Sequence, residues 1–155
     1  MEEPQLNAHH KQEYPPMHTC EHIVNRTMIN LFGCGRAVSA HIERKKSKLD
    51  YAIDHDLTDA QIQTLQDTVN EVIARHLDVT TQFITQAEAA SRFDLNRLPE
   101  GASDTVRIVK VGTYDECLCI GTHVANTSEI GTFSIISHSY ADGILRLRFK
   151  LIQQP

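Results

Sequence analysis

Gly143-Ile144-Leu145-Arg146-Leu147-Arg148-Phe149-Lys150-Leu151 sets apolar against basic side chains at nearly every step. Successive side chains on a strand point to opposite faces, so the run predicts a β-strand with Leu145, Leu147, Phe149 and Leu151 turned inward and Arg146, Arg148 and Lys150 turned out. One wet face is the mark of an antiparallel sheet. Upstream, Thr105 to Val111, Glu116 to Ile120 and Thr132 to His138 also read as strands. So do Ala37 to Glu43 and Lys48 to Asp54, joined as a hairpin by a basic turn. Two segments are helical instead. Thr58 to about Leu77 opens with a Thr58/Gln61 capping box and carries Ile62, Leu65, Val69, Val72, Ile73 and Leu77 as one stripe. Met17 to about Phe32 repeats Cys20, Val24, Met28 and Leu31 at helical spacing and stops at Gly33 and Gly35. A strand over Val79 to Thr85, a short helix over Gln86 to Arg92 and a loop through Leu98 to Ala102 complete the reading. The fold class is α+β, a largely antiparallel sheet packed with two main helices.

With 155 residues, 41% of them hydrophobic and 23% charged, the chain suits one domain with its own core. Residues 1–16 are polar, contain Pro4, Pro15 and Pro16, and read as an extended or flexible arm before a domain over 17–155. No apolar run reaches the roughly 18 residues of a membrane span, and Met1-Glu2-Glu3-Pro4 lacks the basic-then-apolar order of a secretory signal. The expectation is a soluble, cytoplasmic protein with no membrane partner. Cys20, Cys34, Cys117 and Cys119 are too few and too irregular for a disulfide scaffold, which leaves free thiols or metal ligands. A net charge of −5 argues against a surface that grips nucleic acid all over. Two local basic groups remain as phosphate contacts, Arg44, Lys45, Lys46 and Lys48 in the hairpin and Arg146, Arg148 and Lys150 on the last strand. A charged turn and a solvated strand face are the plain alternatives.

His18-Thr19-Cys20-Glu21-His22 places two imidazoles four residues apart on one helix face, within reach of a single zinc ion. With nine histidines in the chain such a pair also arises by chance, as a surface or core pair. Cys119-Ile120-Gly121-Thr122-His123 offers a thiolate and an imidazole at the exit of a strand, with Gly121 as the residue that lets the backbone turn between them. Sulfur and nitrogen donors suit zinc, not magnesium or calcium. Cys117 shares a strand face with Cys119 and is a substitute ligand or a buried thiol, the spacing to His123 favouring Cys119.

Cys119-Ile120-Gly121-Thr122-His123-Val124-Ala125-Asn126-Thr127-Ser128-Glu129-Ile130-Gly131 resembles the C-x-G-T-H-V-x-N-T-x-E-I-G signature of the alanyl-tRNA synthetase editing domain. His18-Thr19-Cys20-Glu21-His22 resembles that family's H-x-x-x-H half-site, and Gly143 to Phe149 is similar to the end of the short free-standing editing proteins known as AlaX. The resemblance runs from about His18 to Leu151. It implies a zinc-binding trans-editing deacylase acting on the acceptor end of mischarged tRNA(Ala), most often seryl-tRNA(Ala), with one Zn2+ per chain held by His18, His22, Cys119 and His123. A pocket made for a small apolar side chain rejects an added hydroxyl poorly, which is why a second, hydrolytic site is needed. The zinc would orient the ester-bearing adenosine or polarise a water, and three or four protein ligands are both open. Thr122, Asn126, Thr127 and Glu129 then become substrate contacts, against a reading in which they stabilise their own turn. Glu21 becomes a possible general base beside the ligands.

Rival readings use the same residues. His18-Thr19-Cys20-Glu21-His22 is also H-x-x-E-H, the inverted zinc motif of some metallopeptidases. It resembles as well the zinc site of S-ribosylhomocysteine lyases, with Cys34 and Glu21 as acid and base. A zinc-stabilised tRNA-binding module without turnover is the non-enzymatic alternative.

Overall fold

The computed structural model describes residues 14–90 and 105–153. Most of the expected N-terminal arm, the end of the helix over Gln86 to Arg92 and the loop at Leu98 to Ala102 lie outside the described residues. The first helix, α1, spans Pro15–Phe32 and starts two residues ahead of Met17. Its opening prolines sit where a helix has no use for their missing N–H and where a fixed φ helps. Gly33 ends it at φ 69, with its N–H on the carbonyl of Ile29 at 2.9 Å. Along α1 even His18, Thr19, His22, Asn25 and Thr27 are buried, so this helix is enclosed, not laid on a surface.

The remaining elements follow as β1 (Ser39–His41), β2 (Ser47–Ala52), α2 (Asp59–Ala74), β3 (Val79–Thr85), α3 (Gln86–Ala90), β4 (Thr105–Val111), β5 (Asp115–Leu118), a 3-10 turn (Thr127–Glu129), β6 (Thr132–Ala141) and β7 (Ile144–Ile152). Among the described residues every strand pair is antiparallel, and the strands divide into two sheets, ordered β1-β2-β7-β6 and β3-β4-β5. The alternating run is β7, at the middle of the larger sheet. Leu145, Leu147 and Phe149 are fully buried, Leu151 is half-buried, and Phe149 meets Phe133 of β6 at a ring separation of 5.1 Å. On the opposite face Arg146 makes a two-pronged ion pair to Asp50 of β2, at 2.8 and 2.9 Å.

Helix α2 is capped as expected: Thr58 Oγ1 accepts from the Gln61 N–H, and Gln61 Oε1 accepts from the Thr58 N–H. Leu65, Val69, Val72 and Ile73 face the core. The helix stops at Ala74, short of Leu77, because His76 turns into left-handed backbone at φ 52. From α2, Gln66 Oε1 and Asn70 Oδ1 accept from the N–H groups of Ile135 and Phe133, and Asn70 Nδ2 donates to the Phe133 carbonyl. Side chains of α2 thereby satisfy the backbone of β6, the edge strand, and cover it.

Helix α1 lies between the sheets. Its Asn25 Oδ1 accepts from the Tyr51 hydroxyl of β2 at 2.7 Å, and its Arg26 donates to Asp115 of β5 at 3.0 Å. On the far side of the smaller sheet Ile84, Ala89, Val106 and Ile108 form a second core under α3. Among the described residues no helix is long and apolar enough to cross a membrane.

Candidate metal centre

The first two turns of α1 carry His18 and His22 on one face, and the chain leaving β5 brings Cys119 and His123 against them. One donor atom from each of the four lies within 4.8 Å of all the others. Cys119 Sγ is 3.6 Å from His18 Nε2 and 3.5 Å from His123 Nε2. Metal–nitrogen and metal–sulfur bonds of about 2.0 and 2.3 Å at a tetrahedral angle put two donors roughly 3.5 Å apart, so these separations are those of a zinc-type tetrahedron. The donor set therefore fits the implied ion in both chemistry and spacing.

His18 and His123 turn Nε2 toward Cys119, and their Nδ1 atoms face elsewhere. His18 Nδ1 donates to the Thr122 carbonyl at 3.2 Å, and His123 Nδ1 meets Thr19 Oγ1 at 2.9 Å. The same hydroxyl accepts from the Val124 N–H at 3.2 Å. His22 Nδ1 is buried without a hydrogen bond, and lies 3.6 Å from Asp115 Oδ2. The stacked rings of His18 and His123 are 4.4 Å apart.

The electrostatics of Cys119 and His123 suit metal ligation. Burial pushes the Cys119 thiol up, but hydrogen bonds from His123, His18 and His22 outweigh it and hold the group well below its ordinary value, as a thiolate. Burial keeps His123 down to about 4, a neutral ring with a lone pair to give. Burial also opposes charge on His22, yet Asp115 and Cys119 lift it well above the usual imidazole value. The thiol of Cys117 is pushed up by burial and stands outside the donor group.

The loop that carries Cys119 is held from β4. Arg107 Nε donates to the Cys119 carbonyl at 3.0 Å and its Nη2 to the Gly121 carbonyl. Gly121 is not among the residues at positive φ, so left-handed freedom is not what this glycine supplies. Its N–H instead reaches Cys119 Sγ at 3.4 Å. Within the Cys119–Gly131 segment the glycine at positive φ is Gly131, at 90°, where a Cβ would come within 2.6 Å of the Ile152 carbonyl.

The other expected site residues divide by what they touch. Glu21 Oε1 lies 3.6 Å from His18 Nε2, at the edge of the cluster. Thr122 is exposed beside His123. Asn126 caps the 3-10 turn by accepting from the Ser128 N–H, and its amide donates to the His76 carbonyl and Asp78. Thr127 is buried, its hydroxyl donating to the Ile73 carbonyl and accepting from the Leu77 N–H. Glu129 Oε2 accepts from the N–H groups of Ala125 and Asn126. The hairpin residues Arg44, Lys45 and Lys46 are exposed, and Arg44 lies 4.5 Å over the ring of Tyr14, the residue that precedes α1. Lys48 pairs with Arg148 across the outer face of the larger sheet, and Lys150 stands exposed beyond them. Cys34 donates to the Met28 carbonyl. Met28 lies six residues along α1 from His22, about 9 Å at helical rise, so this thiol is remote from the cluster and the lyase arrangement is not formed.

Sequence reasoning missed the shell behind the ligands: Thr19, Arg26, Arg36, Arg107 and Asp115. Thr19 stood inside the helix motif and offered the one usable signal, a hydroxyl next to a ligand. The others lie in segments of unrelated pattern and meet only through the packing of α1 on β4 and β5.

The antiparallel α+β domain thus gathers three imidazoles and a thiolate into one group that could hold a metal ion. Comparison with known proteins gives its kinship. Residues 106–148 match the family described as the threonyl and alanyl tRNA synthetase second additional domain. The chain is 35% identical over 123 residues to an alanine–tRNA ligase of Fervidobacterium nodosum, 35% over 137 residues to that of Staphylothermus marinus, and 30% over 145 residues to that of Rickettsia prowazekii. These alignments cover 79%, 85% and 92% of this chain but only 14%, 15% and 16% of the respective ligases. The match to the second-additional-domain family covers residues 106–148, and the ligases that the chain resembles are several times its length.

Proposed function

We propose that this chain is an editing deacylase, hydrolysing the ester of mischarged tRNA(Ala), seryl-tRNA(Ala) first, at a zinc site built by His18, His22, Cys119 and His123. The reading rests on one conjunction: four donor atoms within 4.8 Å of one another, two of the residues lying inside the segment that matches the tRNA synthetase second additional domain. Zinc held there would supply a fixed positive charge able to orient the ester end or to polarise a water. The side chains do the rest. Glu21, 3.6 Å from His18 at the edge of the cluster, is the base we assign to the attacking water. Asn126, Thr127 and Glu129 form the 3-10 turn that follows the ligands, and Thr122 lies exposed beside His123. Exposure favours Thr122 as the substrate contact, and the hydrogen bonds of the other three hold their own turn.

The tRNA approaches over basic groups. The Arg44–Lys46 hairpin tip leans on Tyr14 at the start of the ligand-bearing helix, and Lys48, Arg148 and Lys150 extend the positive face. Arg146, already paired with Asp50, contributes least. On the other side Phe83, 48% exposed on β3, lies opposite Arg107 in a register that runs on to Cys119, an open aromatic ring on which the terminal base can stack.

The test is release of amino acid from seryl-tRNA(Ala) beside alanyl-tRNA(Ala), by zinc-loaded protein and its Cys119→Ala variant. Selective loss of serine that the variant lacks is the expected result. Two tRNAs that stay charged while the protein holds zinc would leave the zinc-stabilised binding module in its place.

A further inference from the structure

The three histidines of the cluster are not held alike. His18 and His123 are oriented by a carbonyl and a hydroxyl of the two motifs themselves, whereas His22 faces a carboxylate from β5. That carboxylate, Asp115, has 0% side-chain exposure. Its Oδ1 accepts from Arg26 Nε at 3.0 Å and from Arg36 Nη2 at 2.6 Å, while Arg36 Nη1 is 3.4 Å from Oδ2. Arg36 Nη2 also donates to the Glu116 carbonyl, 3.2 Å away. Burying a carboxylate is unfavourable unless its oxygens are met, and both close guanidinium contacts fall on Oδ1. Oδ2 is the oxygen turned to His22 Nδ1, which has no hydrogen bond of its own.

We propose that Asp115 is a positioning residue of the metal centre: it holds His22 with Nδ1–H toward the carboxylate and Nε2 toward the other donors, and Arg26 and Arg36 anchor Asp115 for that task. The inference rests on the metal half of the reading above and not on the reaction. Carboxylate–histidine–metal chains of this kind fix ring orientation and make the ligand more basic. The arrangement also explains why two cations from α1 and its following loop are spent on one buried acid, where a single pair would tie α1 to β5.

Zinc affinity, read by competition with a chromophoric chelator, and the visible spectrum of the cobalt(II)-loaded protein separate this role from plain packing. Asp115→Asn is expected to bind zinc about 10–100-fold more weakly than the wild type and to shift the cobalt bands. Equal affinity with an unchanged cobalt spectrum, even with a lowered melting temperature, would show that Asp115 only ties elements together and would overturn the proposal. If Asp115→Asn does not fold, Arg36→Gln serves: loosening the anchor is expected to weaken zinc severalfold, and unchanged affinity overturns the proposal equally. A wild type that takes up no zinc removes the metal reading itself, and deacylation, assayed separately, reports on the reaction.

Discussion

Single side chains around the cluster have separable duties. Cys119 is the sulfur donor closest to two imidazoles. Cys119→Ala is expected to lose zinc and hydrolysis together, metal content being read directly. Thr127 is a different case, since its hydroxyl is spent inside the protein on the Ile73 carbonyl and the Leu77 N–H. Thr127→Val keeps the shape and leaves both backbone groups without that partner, so it is expected to destabilise by about 1–3 kcal/mol in denaturant melts. KM for aminoacyl-tRNA should hold; a raised KM at full stability would instead make Thr127 a direct substrate contact.

Elements carry the next set of effects. Across β2 and β7, Arg146 holds the Asp50 carboxyl below its ordinary value by hydrogen bonds and charge, against a smaller opposing push from burial. A depressed folded-state value means the unfolded chain takes the proton first, so this pair stabilises fully above about pH 4 and its contribution is lost as pH falls below that. Asp50→Asn should flatten that part of the acid branch of the stability curve, measured by melting temperature against pH. On β3 the Phe83 ring is 48% exposed, and Phe83 is not one of the metal donors. Phe83→Ala is expected to raise KM for charged tRNA, by the equivalent of about 1–3 kcal/mol if a base stacks there, with zinc affinity unchanged in the chelator assay.

For the molecule as a whole, a net charge of −5 leaves the hairpin tip and the outer face of the larger sheet as the basic surfaces proposed for tRNA. Reversing Lys45 and Lys46 to glutamate is expected to weaken tRNA binding and lower the slope of log affinity against log salt by roughly 0.7–0.9 for each phosphate that the protein no longer neutralises. An unchanged slope would move the tRNA off this face. The architecture gives such binding a fixed direction, because the tip that carries these lysines leans on Tyr14 at the start of the helix that carries His18 and His22.

Local rules reached far here. The period of two along Gly143 to Leu151, the Thr58/Gln61 capping box and the stripe of α2 are properties of neighbouring residues, and hydrogen bonding and side-chain geometry act on them wherever the chain goes. The same holds for the two half-sites: spacing of four on a helix, and a short loop after a strand, already brings each pair together. Nothing local joins residue 18 to residue 119, divides the strands into two sheets, or turns Asp115 and Arg36 toward the back of His22. Those follow from burying α1 on both sides. A helix enclosed between two sheets must find partners for every polar group it carries, and only the tertiary structure decides that His18, His22 and Asn25 find them on β5, its following loop and β2.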